Sequence, residues 1–193
     1  MSGIKSSSAL IKFSQIFGNT YPVEVDLGCG KGGFMLALSK LFPNLNFLGV
    51  DYVDRWLRKG TLPEEKQIQP NLAFLRAESL NFVTTCRDEN VAAFYVQFPD
   101  PWPKRRHRRR RVFESRFLDE LYRVLSPNGF LHVATDDHDY FTAMRAVIAA
   151  SEISWRSVRE SVNQRLVHPA LKTLYEAKFS AMGKDIHYLE MRK

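Results

Sequence analysis

The sequence predicts an α/β fold, a parallel sheet covered by helices on both faces. Three observations predict it. Strand-length apolar runs alternate with segments of helical spacing, a glycine-rich turn follows the first run, and the runs end on acids where such a sheet binds ligands. The 193 residues, 45% of them apolar, suit one domain burying roughly 70% of its unfolded surface. That domain is expected to span 1–193, with 1–20 as an N-terminal extension.

Taken in order, the strands are expected at Pro22 to Leu27, Asn46 to Asp51, Asn71 to Arg76, Val91 to Gln97, Gly129 to Thr135, Trp155 to Arg159 and Ile186 to Met191. Each is a short run rich in β-branched, aromatic or other apolar residues. Between them, Phe34 to Leu41, Ser79 to Cys86, Glu114 to Leu125 and Tyr140 to Ala150 repeat their apolar residues at helical spacing. No internal repeat or low-complexity linker interrupts the alternation. Ligands of such sheets bind beyond the carboxyl ends of the strands. The acids there are Asp26, Asp51, Glu78 just after Arg76, Asp100 and Asp136.

Charge is concentrated in one place. Lys104 to Arg111 carries seven cations, and of the 28 Lys and Arg the remaining 21 balance the 21 Asp and Glu, so these eight residues account for the net charge of +7. One cationic stripe on a neutral body is a footprint for phosphates and points to a nucleic acid. A solvated loop or a localisation signal uses the same composition.

No run approaches a membrane span, and Ser6 to Phe17 is broken by Lys12 and polar residues, unlike a signal peptide. A cytoplasmic protein is expected. Cys29 and Cys86 form no disulfide framework and have no partner at metal-ligand spacing, so neither disulfide nor zinc is expected.

The first strand runs into Asp26-Leu27-Gly28-Cys29-Gly30-Lys31-Gly32-Gly33. Glycines there let the backbone approach a ligand closely. Asp51 ends the next strand, 18 residues after Gly33, near the spacing of an acid that grips ribose hydroxyls. Together they indicate an adenosine-containing cofactor. Gly28, Gly30 and Gly33 also fit a dinucleotide fingerprint, but the Asp26 carboxylate repels a pyrophosphate and attracts the ammonium and sulfonium of S-adenosylmethionine. A packing turn with no ligand is the plain alternative.

At the fourth strand's end, prolines frame Asp100 in Phe98-Pro99-Asp100-Pro101-Trp102 and restrict its backbone. Trp102 offers a ring for stacking a base and equally suits a core position. Cys29 reads as a small residue filling a tight turn. Among Asp136, Asp137 and Asp139, the surplus carboxylates suit capping and the dipole of the following helix. His168 has no assigned role.

Asp26 to Gly32, Phe47-Leu48-Gly49-Val50-Asp51, Phe98 to Arg111, Ala134-Thr135-Asp136, Thr173 to Glu176 and Gly183 together resemble the bacterial tRNA (guanine-N7)-methyltransferases over nearly the whole chain. The resemblance implies a class I methyltransferase (Rossmann-like) fold, doubly wound, with a mostly parallel seven-stranded sheet and an antiparallel last strand. It implies methyl transfer from S-adenosylmethionine to N7 of guanine 46 in the tRNA variable loop. It assigns Asp26, Gly28, Gly30, Gly32, Asp51, Glu78 and Asp100 to the cofactor and makes Asp100 the catalytic candidate. Lys104, Asp136, Thr173, Tyr175 and Glu176 are implied to contact tRNA, joined by Trp102, Arg108 and Arg109 from the aromatic and basic run. No obligate protein partner is evident, so a monomer or homodimer is expected. Leu174 stands where relatives often carry Lys, and Glu78 where Asp or Asn is usual. An amino-group methyltransferase on another RNA base and a non-enzymatic RNA-binding module are the competing readings.

Overall fold

The computed structural model describes residues 10–53 and 69–193; the expected extension 1–20 therefore falls partly outside the described residues. Among the described residues seven strands form one sheet: β1 (Val23–Leu27), β2 (Asn46–Asp51), β3 (Leu72–Arg76), β4 (Val91–Gln97), β5 (Leu125–Thr135), β6 (Ser157–Val162) and β7 (His187–Arg192), in the order β3-β2-β1-β4-β5-β7-β6. Strands β1 to β5 pair in parallel, while β7 lies antiparallel between β5 and β6. The helices among the described residues are α1 (Phe13–Phe17), α2 (Gly33–Leu41), α3 (Ser79–Thr84), α4 (Ser115–Val124), α5 (His138–Ala149) and α6 (Leu174–Ala181). No helix among the described residues is long and apolar enough to cross a membrane.

The order reverses between β1 and β4, so the crevice at their carboxyl ends is the switch point where ligands of this architecture bind. Strand period sorts side chains onto two faces with different chemistry. One face carries Val25, Leu27, Leu48, Val50, Phe94, Val96, Leu131, Val133, Leu189 and Met191, packed against Phe82, Phe117, Leu121, Tyr140 and Met144 of α3, α4 and α5. In α4, Phe117, Leu121 and Val124 recur at helical spacing and are fully buried. Removing the Phe117 ring from this packing costs about 3 to 5 kcal/mol.

The other face mixes buried polar groups with the apolar Phe47, Ala93 and Phe130. Register places Asp26 beside Tyr95, Tyr95 beside His132, and His132 opposite Glu190, and all four are buried. Over this rung lie α2, through Phe34, Met35 and Leu38, and the segment 163–172, through Leu166, Val167 and Leu171. Buried polar groups need partners. Tyr95 donates to Glu24 Oε2 at 2.7 Å, and burial holds the Glu24 carboxyl above its usual range.

Strand β5 begins at Leu125, four residues before the expected Gly129, and carries a bulge where it leaves Val91 for Ala93. Pro127 and Asn128, at φ +66°, disguise that start. Strand β6 sits about two residues later than expected.

Candidate active site

The glycine turn is fastened to β2. Gly28 and Cys29 donate their backbone N–H groups to Val50 O at 2.8 and 3.1 Å, and Gly30 donates to Asp51 Oδ2 at 2.8 Å. Asp51 Oδ1 accepts from Val53 N at 2.7 Å. Gly32 sits at φ +69°, and a Cβ there would lie 2.4 Å from the Phe74 ring, so glycine is required for both conformation and space. Burial and the nearby Asp26 and Asp51 push the Cys29 thiol up. Its Sγ lies where a Cβ added at Gly49 would meet it at 2.8 Å, so the residue fills the turn.

Asp26 ends just short of the turn, buried on the mixed face, with Gln97 Nε2 at 3.5 Å from Oδ1. Burial lifts its carboxyl from 3.8 to about 7, with Gln97 and the charge of Arg165 opposing the rise. A cation brought beside Asp26 favours the ionised form. Glu78 caps α3, accepting from Leu80 N at 3.1 Å and Asn81 N at 2.8 Å. Its longer side chain is thus accommodated by folding back on its own helix.

Beyond β4 the chain departs sharply from the sheet. Phe98 and Trp102 take φ of +51° and +42°, the left-handed region that side chains rarely adopt. Phe98 N donates to Ala134 O at 2.7 Å, and Arg111 Nε donates to Pro101 O at 2.8 Å. The Arg111 guanidinium lies 4.5 Å from the centre of the Tyr140 ring. These anchors hold the strained loop, which presents Asp100 to solvent.

The basic run winds into a 3-10 helix, Arg105–Arg110, with Lys104 at its N-cap. None of its residues is buried. Arg110 stands over the half-buried Trp102 ring at 4.9 Å and His107 meets that ring edge-on. Arg108 comes within 3.9 Å of Asp139. Asp137 caps α5, accepting from Tyr140 N at 2.7 Å, as expected of that acidic group. Asp136 pairs with Lys184 at 2.5 Å.

Thr173 caps α6, a helix absent from the expected elements. Its Oγ1 accepts from Glu176 N at 3.0 Å while Glu176 Oε2 accepts from Thr173 N at 3.2 Å, a capping box. Tyr175 is half exposed against Phe98 and Phe179. Glu176 is 1% exposed and held by Arg165 at 2.6 Å and Tyr188 at 2.6 Å. Its contacts are with protein groups, so any part it plays in recognition runs through Thr173 and Tyr175. Arg165 and Gln97, both buried and bonded to each other, belong to this site and carry no local sequence signal.

The carboxyl ends of parallel β1, β2, β4 and β5 thus bring Asp26, the glycine turn, Asp51, Asp100 and Asp136 to one edge of the sheet. Glu78 follows β3 on that edge, and the basic 3-10 helix follows Asp100. Solved structures share this scaffold. An antibiotic-related methyltransferase superimposes with a TM-score of 0.64 at 17% identity, covering 94% of this chain and 92% of that one. The 16S rRNA (adenine(1408)-N(1))-methyltransferase from Catenulisporales acidiphilia gives 0.62 at 13% identity, covering 93% and 91%. The fold with its acid-lined edge is that of a class I, Rossmann-like methyltransferase.

A family model described as "Putative methyltransferase" matches residues 20–189. The tRNA (guanine-N(7)-)-methyltransferase of Brevibacillus brevis is 33% identical over 175 residues, which make up 90% of this chain and 82% of the relative. That of Rubrobacter xylanophilus is 33% identical over 177 residues, 92% and 79%. The chain belongs to the tRNA (guanine-N7)-methyltransferase family.

Proposed function

We propose that the protein methylates N7 of guanine 46 in the variable loop of tRNA, with S-adenosylmethionine as donor, in the cytoplasm. One observation carries the reading: an exposed Asp100, held on a strained and anchored loop, stands between the acid-flanked glycine turn and an exposed cationic 3-10 helix. When bound, S-adenosylmethionine supplies a methyl group activated by a sulfonium. Asp51 would accept from ribose hydroxyls with the lone pairs left over from Gly30 and Val53, and the glycine turn would let the nucleoside approach its backbone. Asp26 would hold the ammonium and sulfonium charges.

Guanine N7 carries a lone pair and no proton, so its attack needs alignment and desolvation more than a base. Holding two reactants in line lowers a barrier by roughly 7 to 11 kcal/mol. Asp100 accepts from the guanine Watson-Crick edge or offsets the cation that forms on methylation, with Lys104 four residues on at the start of the cationic helix. Arg108 and Arg109 meet phosphates; Thr173, Tyr175, Trp102 and Asp136 border the base. Transfer of labelled methyl from S-adenosylmethionine to tRNA, followed by nucleoside analysis, tests this. Label recovered as 7-methylguanosine supports it, label on an exocyclic amine supports the competing enzyme, and RNA binding without label leaves a binding module.

A further inference from the structure

Arg165 is 6% exposed, and each part of its guanidinium is in use. Nε donates to Val167 O at 2.8 Å, Nη1 to Glu176 Oε2 at 2.6 Å and Nη2 to Gln97 Oε1 at 2.6 Å. Its flat face lies over the Phe34 ring, 4.7 Å from the centroid. One side chain therefore touches α2 just after the glycine turn, β4 one residue before Phe98, its own loop, and α6. Gln97 continues the path to Asp26, and Glu176 continues it through the capping box to Thr173.

Stability alone is a poor explanation for such a group. Burying a guanidinium and a carboxylate costs several kcal/mol in desolvation, and a well-packed apolar pair does as well or better. What the pair provides is direction, because a planar fork bonds two partners at fixed angles and an ammonium does not. Helix α6 buries only Glu176 completely; its other anchors, Phe179 on Ala134, Ile186 and Tyr188 and the Tyr175 and Phe179 rings near Phe98, are non-directional packing.

We propose that Arg165 is a positioning residue for methyl transfer, fixing α6, and with it Thr173 and Tyr175, against the donor end of the crevice. The inference rests on the proposed function, in which α6 borders the guanine and Asp26 faces the donor. It adds that the distance between the two reactants is set by a buried path, Asp26–Gln97–Arg165–Glu176–Thr173, that reaches neither of them at Arg165 itself.

The test uses the full chain, tRNA and S-adenosylhomocysteine. Arg165→Lys keeps a cation beside Glu176 but cannot span to Gln97 as well. The expected result is a kcat about 100-fold lower at saturating tRNA, the loss typical of a displacement of about 1 Å. Affinity for S-adenosylhomocysteine and the salt dependence of tRNA binding stay near wild type. A kcat within about threefold of wild type, or loss of S-adenosylhomocysteine binding in step with activity and thermal midpoint, overturns the proposal. Should Arg165→Lys fail to fold, Gln97→Leu breaks only the sheet end of the path. Combined with Thr173→Ala it should be non-additive in kcat although the two residues do not touch; additivity overturns the proposal. A wild-type protein that makes no 7-methylguanosine removes the proposed function itself, which separates that failure from this one.

Discussion

Asp51 Oδ2 accepts the backbone N–H of Gly30 at 2.8 Å, so the acid that ends β2 also fixes the glycine turn after β1. A carboxylate in this place has two tasks, and substitution separates them. Asp51→Asn keeps an oxygen for Gly30 but loses charge-assisted bonding to ribose. Asp51→Ala loses both. Titration calorimetry with S-adenosylhomocysteine should show weakening of about 1.5 to 3 kcal/mol for Asn and more for Ala, with a lower thermal midpoint only for Ala.

Asp26 gives a pH signature. Its folded carboxyl is raised from 3.8 to about 7, so the fold favours the protonated form. That contribution to stability is complete below pH 3.8 and is lost as pH rises to about 7. Asp26→Asn should therefore match wild type near pH 4 and exceed it by up to about 4 kcal/mol at pH 8, since each tenfold change in proton affinity is worth about 1.4 kcal/mol. Thermal unfolding across that range checks it. Affinity of the wild type for S-adenosylhomocysteine should rise with pH up to about 7 and then level, because the ammonium needs the carboxylate ionised. A flat profile would remove Asp26 from the cofactor site.

Asp100 is exposed, so Asp100→Ala should alter stability by no more than about 0.5 kcal/mol. Single-turnover methylation should nearly vanish. Wild-type rates in that variant would take Asp100 out of the mechanism.

The arginines of the basic run divide by their contacts. Arg105, Arg106, Arg108 and Arg109 are exposed on the 3-10 helix, and replacing all four with Ser should flatten the plot of log affinity against log salt by about 3, at 0.7 to 0.9 per phosphate. Arg111 instead braces Pro101 and Tyr140. Arg111→Ser should lower kcat and thermal midpoint with little change in slope. Filter binding over a salt series distinguishes the two sets.

Apolar runs of strand length alternating with helical segments, and a glycine turn after the first, made the sheet legible from the sequence, because β1, β2 and β4 are buried on both faces and so read as near-continuous apolar runs. What stayed hidden has physical causes. Helix α6 buries a carboxylate instead of an apolar stripe, so Leu174 to Ala181 shows no helical moment to read. The start of β5 is masked by Pro127 and Asn128. The motif residues of the site lie at strand ends and were visible as acids in register. Arg165 was not, because its partners Gln97 and Glu176 stand 68 and 11 residues away and meet only on the mixed face of the folded sheet.

Strand β6 ends the sheet order opposite β3, and its outer side pairs with no other described strand. Along it Val158 and Val162 are 46% and 52% exposed, with Arg159 and Glu160 between them. An open edge flanked by branched apolar residues is a template on which a second chain can add a strand. The two adjacent charges act as gatekeepers: self-association in register would stack like charges or force them to shed water. Guarding of this edge therefore falls to two side chains at the far end of the sheet from the glycine turn, each paired within the molecule, Glu160 with Arg145 and Arg159 with Glu190, and a substitution there can deplete active protein without touching the chemistry.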